Sequence, residues 1–135
     1  METTLEIIVR STAIDFLGHV NNARYIEYLE WGRADWYDQA GCSFDEMRKK
    51  GIGTVVANIN IDYLASCYRG DLLILKTRPV EVGNSSYVMQ QEVIKKEMSI
   101  KASEARVTTV FIDLKTGKSR PIPHDLLKFL GINQR

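Results

Sequence analysis

The chain has 135 residues, of which 44% are hydrophobic, and its 18 basic and 17 acidic side chains leave a net charge of +1. A chain of this length and composition suits a single globular domain, residues 1–135, with a small core. The balanced charge gives no broad electrostatic field, so we expect neither nucleic acid nor an anionic membrane as the main partner.

The amino terminus and the cysteines bear on the cellular compartment. Met1 is followed by acidic and polar residues, and no later apolar run approaches the roughly 18 residues of a membrane helix. Cys42 and Cys67 lie far apart without a C-x-x-C spacing, which favours buried, reduced thiols over a disulfide. We therefore expect a cytoplasmic protein without a membrane span.

The first strand leads into a stretch that can carry chemistry. Leu5, Ile7 and Val9 recur with the period of two that indicates a strand with one buried face. Asp15 and Gly18 then lie just before the start of a predicted helix, so a carboxylate base and unpaired backbone N–H groups can face the same point. This arrangement suits attack on a carbonyl group.

A long helix is predicted from Tyr25 to about Ala40, capped by Asn21 or Asn22 and ended by Gly41. The residues predicted to line its core-facing side are Ile26, Leu29, Arg33 through its stem, Trp36 and Tyr37, with Tyr25 and Tyr28 flanking them. Glu30 and Arg33 have the spacing of an exposed ion pair. Trp31 lies on the opposite side, which indicates that something also covers that face.

The remainder of the chain predicts one sheet. Ser43-Phe44-Asp45-Glu46 has the pattern of a capping box for a short helix that stops near Gly51. The predicted strands cover residues 55–63, 72–82, 87–94 and 105–111, and a final helical turn or two spans 124–130. In the first of these strands Val55, Ala57, Ile59, Ile61 and Tyr63 share one face, and Asn58, Asn60 and Asp62 share the other. One strand, one long helix and a run of antiparallel strands indicate an α+β fold.

Three segments carry a family resemblance. The first has the pattern Asp15-x-x-Gly18-His19-Val20-Asn21-Asn22-x-x-Tyr25-x-x-x-x-Glu30-x-x-Arg33, and the others are residues 55–63 and 110–116. Together they resemble the hot-dog-fold acyl-CoA thioesterases of the 4-hydroxybenzoyl-CoA thioesterase superfamily, above all the bacterial long-chain acyl-CoA thioesterase III group. The resemblance extends from Ile7 to about Lys118. Many relatives have a proline after the strand that ends at Tyr63, where this chain has Leu64-Ala65-Ser66-Cys67.

The resemblance implies a hot-dog fold, in which an antiparallel sheet wraps around one long central helix. It also implies that two chains pair edge to edge and build the site at their interface. The carboxylate of Asp15 would act as general base or nucleophile, and the backbone N–H of Asn22 would hold the thioester oxygen. A helix N-terminus suits that role, because it offers free donors and a partial positive charge where the oxyanion develops. No cofactor or metal is implied, since coenzyme A is part of the substrate.

Six further residues are candidates for substrate binding: Gly18, His19, Val20, Asn21, Tyr25 and Asn58. His19 is either a site residue or a loop histidine that bonds the backbone, and Asn21 also suits a helix cap. Asn58 lies on the polar face of its strand, which points either to the site or to solvent. The two histidines and two separated cysteines do not assemble the ligands of a metal site.

The expected function is hydrolysis of acyl-CoA thioesters, with a fatty acyl group as the favoured substrate, by a homodimer or homotetramer. One alternative is a thioesterase that acts on acyl-carrier-protein substrates. A second alternative is a non-catalytic hot-dog dimer that binds an acyl group or acyl-CoA. Asp15 distinguishes the enzyme from the pure binder, because a carboxylate beside the carbonyl would only repel a developing oxyanion in a protein that performs no chemistry.

Overall fold

The computed structural model describes residues 1–131. In chain order its elements are β1 (Thr3–Ile8), α1 (Asn22–Gln39), α2 (Phe44–Lys49), β2 (Ile52–Tyr63), β3 (Leu72–Val82), β4 (Ser86–Lys95), β5 (Ile100–Asp113) and α3 (His124–Leu127). Short 3₁₀ helices at Ser11–Ala13 and Glu97–Ser99 precede α1 and β5, respectively. No helix within the described residues is both long enough and apolar enough to cross a membrane.

All five strands form one antiparallel sheet in the order β1-β3-β4-β5-β2. The inward side chains of the sheet, such as Leu75, Val93 and Val107, are fully buried in a cluster with Tyr28 and Leu29 of α1. The long helix therefore lies against one face of the sheet, which confirms the predicted α+β architecture. Strands β1 and β2 form the two outer edges of the sheet.

Helix α1 begins at Asn22, three residues before the predicted start, ends at Gln39, close to the predicted end, and has a rotated core face. Its buried residues are Tyr25, Tyr28, Leu29, Gly32, Arg33, Trp36 and Tyr37. Ile26, predicted in the core stripe, is only half-buried, so that assignment was wrong. Gly32 lets the helix lie close against Thr77 and Gln91 of the sheet, and in this position Tyr25 and Tyr28 are buried whereas Ile26 is turned partly aside.

Beside Gly32, a buried polar network holds α1 against the sheet. The side-chain amide of Gln91 on β4 donates to the Leu29 carbonyl and to Thr77 Oγ1, both at 2.9 Å. A Cβ atom on Gly32 would lie 2.9 Å from Thr77 Oγ1 and 3.0 Å from Gln91 Nε2. Only a glycine therefore fits here without displacing hydrogen-bonded atoms.

Arg33 lies on the core-facing side of α1 as predicted, but the predicted Glu30–Arg33 ion pair does not form. Arg33 does not pair with Glu30 but points inward and donates from Nη1 to Gln91 Oε1 at 3.1 Å, and burial lowers the pKa of its guanidinium group. Glu30 is exposed. Trp31 is 47% exposed, so the described part of this chain leaves about half of it uncovered. It borders a groove with Ile8 and Tyr28.

Strand β2 contains a β-bulge that the sequence does not reveal. Val56 lies opposite Thr109 of β5, whereas Asn58 lies opposite the adjacent Thr108, so Ala57 is the extra residue. Because Thr109 is buried on the helix side, Val56 faces the helix and Val55 faces outward. The predicted single apolar face of this strand is therefore wrong before Ala57 and correct after it.

The other elements follow the sequence with shifted ends. Ser43 Oγ accepts a hydrogen bond from the Glu46 amide at 3.2 Å, as the predicted capping box requires. Strand β5 begins at Ile100 rather than near 105, because polar residues there obscure its alternation. Helix α3 ends at Leu127, earlier than the predicted 130. Of the two free cysteines, Cys67 is buried as predicted, whereas Cys42 is only partly buried.

We expect Gly32→Ala to lower the free energy of unfolding by about 1–2 kcal/mol, because overpacking costs ~1–3 kcal/mol and the gain in helix propensity returns ~1 kcal/mol or less. Urea denaturation measures the change. Glu30→Ala on the exposed side of the same helix is the control and should stay within about 0.5 kcal/mol of the parent. Equal stability of Gly32→Ala and the parent would show that the helix does not need this close approach.

Candidate active site

The loop between the first 3₁₀ helix and α1 is a tight turn around Asp15. The Asp15 amide donates to the His19 carbonyl at 3.0 Å, and the Gly18 amide donates to the Asp15 carbonyl at 3.1 Å. Gly18 has a φ of +90°, a conformation that other residues rarely adopt. The glycine thus closes the turn and places the Asp15 carboxylate near the start of α1.

The two carboxylate oxygens of Asp15 have different surroundings. The Leu17 amide donates to Oδ1 at 2.9 Å, which fixes that oxygen within the turn. The other oxygen, Oδ2, lies 3.6 Å from Nδ1 of His19, and the Asp15 side chain is 18% exposed. One oxygen therefore holds the orientation of the carboxylate, while the other is available to accept a proton.

His19 bonds the backbone and borders the cleft, and its contact with substrate stays a prediction. Its Nδ1 lies 3.3 Å from the Val20 carbonyl oxygen, which is an acceptor only, so Nδ1 carries the proton in this hydrogen bond. The same residue lines the cleft next to Asp15. His19 is thus a loop histidine that bonds the backbone and also part of the wall around the carboxylate.

The first turn of α1 leaves one backbone donor free. The Asn21 side chain accepts from the Ala23 amide at 2.9 Å, and the Asn21 carbonyl accepts from the Arg24 amide at 2.9 Å. Among residues 1–131 no acceptor bonds to the amide of Asn22. The unpaired N–H at the positive end of the helix is therefore the one predicted to hold the thioester oxygen.

A cleft of about 380 Å³ brings five of the predicted residues together. They are Asp15, His19, Val20, Asn22 and Tyr25. A residue with a carboxylate and a residue with an unpaired backbone N–H thus border the same space. This combination can activate a nucleophile and stabilise negative charge on a carbonyl oxygen.

The remaining predicted residues lie outside this cleft. Gly18 shapes the turn, and Asn21 caps the helix and borders a different groove. Asn58 is exposed on the outer face of β2, opposite Thr108. Within a single chain Asn58 therefore does not border the cleft. The role of Asn58 in substrate binding stays a prediction.

Sequence reasoning missed the opposite wall of the cleft, which consists of Tyr63, Leu64, Ala65 and Ser66. The Tyr63 hydroxyl donates to the Asn22 carbonyl at 3.1 Å, and its ring meets the ring of Tyr25 edge-on with centroids 5.3 Å apart. One sequence feature could have drawn attention to this segment: it lacks the proline that many relatives have after the strand that ends at Tyr63. That departure marks the segment as unusual but does not say what it faces.

The Tyr25 hydroxyl and the neighbouring Cys67 thiol are held in their neutral forms. Burial, and then the adjacent Cys67 thiol, raise the pKa of Tyr25, whose hydroxyl lies 3.4 Å from the Ala65 carbonyl oxygen. Burial also raises the pKa of the Cys67 thiol, which is fully enclosed. A thiolate nucleophile is therefore disfavoured here. Residues 1–131 contain no cluster of three or more His, Cys, Asp or Glu side chains that could hold a metal ion.

Comparisons with known proteins identify the family of the chain. The residue pattern that characterises the thioesterase-like superfamily matches residues 9–130. The chain is 35% identical over 121 residues to the long-chain acyl-CoA thioesterase FadM of Escherichia coli K12, covering 90% of this chain and 91% of that protein. It is 28% identical over 127 residues to the chloroplastic acyl-acyl carrier protein thioesterase ATL2 of Arabidopsis thaliana, covering 94% of this chain and 67% of that protein.

The fold has close counterparts among solved structures. The crystal structure of Slr0204, a 1,4-dihydroxy-2-naphthoyl-CoA thioesterase from Synechocystis, superposes with a TM-score of 0.90 at 18% identity, covering 97% of this chain and 96% of that one. This likeness confirms the predicted hot-dog arrangement of sheet and helix. The chain therefore belongs to the thioesterase-like superfamily and is a thioesterase.

Proposed function

We propose that the protein hydrolyses fatty acyl-CoA thioesters to free acid and coenzyme A. The observation that carries this proposal is that Asp15 and Asn22, the residue whose backbone N–H has no acceptor among residues 1–131, line one cleft. The E. coli relative acts on long-chain acyl-CoA, which supports the same substrate class here. The cytoplasmic location expected from the sequence stays a prediction.

In the proposed reaction the thioester carbonyl oxygen accepts a hydrogen bond from the Asn22 amide. Asp15 Oδ2 takes a proton from a water molecule as that water adds to the carbonyl carbon. The negative charge that develops on the carbonyl oxygen is stabilised by the helix N-terminus. Collapse of the tetrahedral intermediate breaks the C–S bond, and the proton held by Asp15 passes to the departing thiolate of coenzyme A.

We favour general-base catalysis by Asp15 over direct attack by its carboxylate. A carboxylate is a weak nucleophile, and attack would form a mixed anhydride that must itself be hydrolysed. The Leu17 amide bonded to Oδ1 orients the group, and a single free oxygen, Oδ2, is sufficient for proton transfer. The aromatic rings of Tyr25 and Tyr63 offer apolar surface beside the reacting carbon.

We propose that two chains pair through β2, as a homodimer or as part of a homotetramer. This strand is an outer edge of 12 residues, and Val55, Val56 and Tyr63 along it are close to half exposed. A long edge with apolar side chains favours pairing with another strand. Such pairing would bring the partner's β2, including its Asn58 position, toward the open side of the cleft.

Hydrolysis of acyl-carrier-protein thioesters is the second candidate function, because the Arabidopsis relative acts on that class. The acyl group and the thioester are the same in both substrates, so Asp15 and Asn22 would have the same roles. A panel of acyl-CoA and acyl-carrier-protein substrates, assayed with a free-thiol reagent, separates the two. The third alternative, a non-catalytic binder, is disfavoured by membership of a thioesterase family and by the carboxylate in the cleft.

Asp15→Asn should lower kcat by about 10²–10⁴-fold, the range expected for loss of a general base. The amide keeps the size of the side chain and can still accept from Leu17, so the fold should be preserved. Hydrolysis of palmitoyl-CoA and a thermal melt measure the two effects. Asp45→Asn, at an exposed carboxylate on α2, is the matched control. Parental activity in Asp15→Asn would leave Asp15 with a role in the turn alone.

Light scattering should give a mass of at least twice 15.4 kDa, the mass of one chain. The reason is that the exposed apolar edge of β2 needs a covering strand. The measurement is made at the protein concentrations used for the activity assay. A stable and fully active monomer would refute the proposed pairing through β2.

A single turnover in H₂¹⁸O should place one ¹⁸O atom in the released fatty acid, because general-base catalysis adds solvent oxygen directly to the carbonyl carbon. Mass spectrometry of the acid, and of the peptide that contains Asp15, reads the label. Incubation of the free acid with the enzyme in the same water controls for exchange. Unlabelled acid in the first turnover, or ¹⁸O on Asp15, would instead establish attack by the carboxylate.

A further inference from the structure

Tyr63, the last residue of β2, joins the sheet to the start of α1. Its hydroxyl donates to the carbonyl oxygen of Asn22 at 3.1 Å, across a sequence separation of 41 residues. Asn22 is the first residue of the helix and carries the unpaired N–H. The phenol therefore binds the backbone of the same residue that is proposed to donate to the thioester oxygen.

The peptide group between Asn22 and Ala23 is held from both sides. Its carbonyl accepts from the Tyr63 hydroxyl, and its N–H donates to Oδ1 of Asn21. The preceding peptide, which contains the Asn22 N–H, is held through the Asn21 carbonyl by the Arg24 amide. Because the peptide groups on both sides of the Asn22 Cα atom are held, the direction of the Asn22 N–H is fixed.

We propose that Tyr63 is a positioning residue that keeps the Asn22 N–H aimed at the thioester carbonyl. This inference rests on the proposed function. An oxyanion donor acts through its geometry, so a freed helix start should weaken stabilisation of the transition state more than binding of the ground state. Tyr63 touches the backbone rather than the reacting atoms, and its effect passes through Asn22.

The ring and the hydroxyl of Tyr63 have separable roles. The ring packs edge-on against Tyr25, and a phenylalanine would retain that contact. The hydroxyl alone makes the bond to Asn22. Tyr63→Phe therefore removes the hydrogen bond to the Asn22 carbonyl and leaves the cleft wall in place.

Tyr63→Phe should lower kcat for palmitoyl-CoA by between about 2- and 10-fold, the rate equivalent of one neutral hydrogen bond, with KM changed less than twofold. Tyr68→Phe is the matched control, because Tyr68 is half exposed and its hydroxyl bonds no other described residue. We expect kcat of Tyr68→Phe to equal that of the parent. A raised KM with unchanged kcat in Tyr63→Phe would show that the hydroxyl binds substrate and would overturn the proposal.

Amide hydrogen exchange provides a readout that does not depend on activity. In Tyr63→Phe the Ala23 amide, which donates to Oδ1 of Asn21, should exchange faster, while the Leu29 amide in the middle of the helix keeps its parental rate. Unchanged exchange at Ala23 would overturn the proposed role of Tyr63 even if kcat fell.

A double-mutant cycle with Asn21→Ala separates positioning from a general structural effect. Both substitutions release the same peptide group. The fold-decrease in kcat of the double variant should therefore be smaller than the product of the fold-decreases of the two single variants. Independent, multiplicative effects would contradict the proposal. If the parent hydrolyses acyl-CoA and Tyr63→Phe matches it, the role of Tyr63 fails and the proposed function stands. A parent that hydrolyses neither acyl-CoA nor acyl-carrier-protein thioesters would refute the proposed function itself.

Discussion

The cap that Asn21 places on α1 is the interaction on which the site depends. One residue satisfies two amides of the first turn, that of Ala23 with its side chain and that of Arg24 with its carbonyl. No described residue accepts from the amide of Asn22, so that donor stays available at the positive end of an 18-residue helix. The Asp15 carboxylate is placed separately, by the turn at Gly18. The turn and the capped start of α1, which are adjacent in sequence, thus meet at one cleft.

The depth of the helix in the fold determines where that donor lies. Gly32 allows α1 to approach the sheet, and Gln91 bonds the Leu29 carbonyl and Thr77 at that level. The polar network is buried and paired, so it specifies one position of the helix rather than a range of positions. Helix α1 is thus held at two points, by the sheet beneath its middle and by the end of β2 beside its first residue.

The part of the site that the sequence predicts is the part that is local in sequence. Asp15, His19, Val20, Asn22 and Tyr25 lie within one short stretch, and the rules for turns and helix caps place them together. Tyr63 was not predicted to face Asn22, because periodicity identifies a strand but not what the end of that strand meets. Val55 and Ile26 were misplaced for related reasons: a bulge and a close helix approach change which face a residue occupies without changing the apolar pattern. The fold class was predicted because it depends on the order and type of elements, which these local shifts leave intact.

The bulge at Ala57 also bears on how the chain avoids uncontrolled association. An unbroken edge strand of 12 residues presents a regular row of N–H and C=O groups to which any extended, unfolded chain could add. The register shift between Val56 and Asn58 interrupts that row near its middle and increases the local twist. An extended chain with a regular ladder no longer matches the whole edge. One extra residue thus disfavours open-ended growth of the sheet.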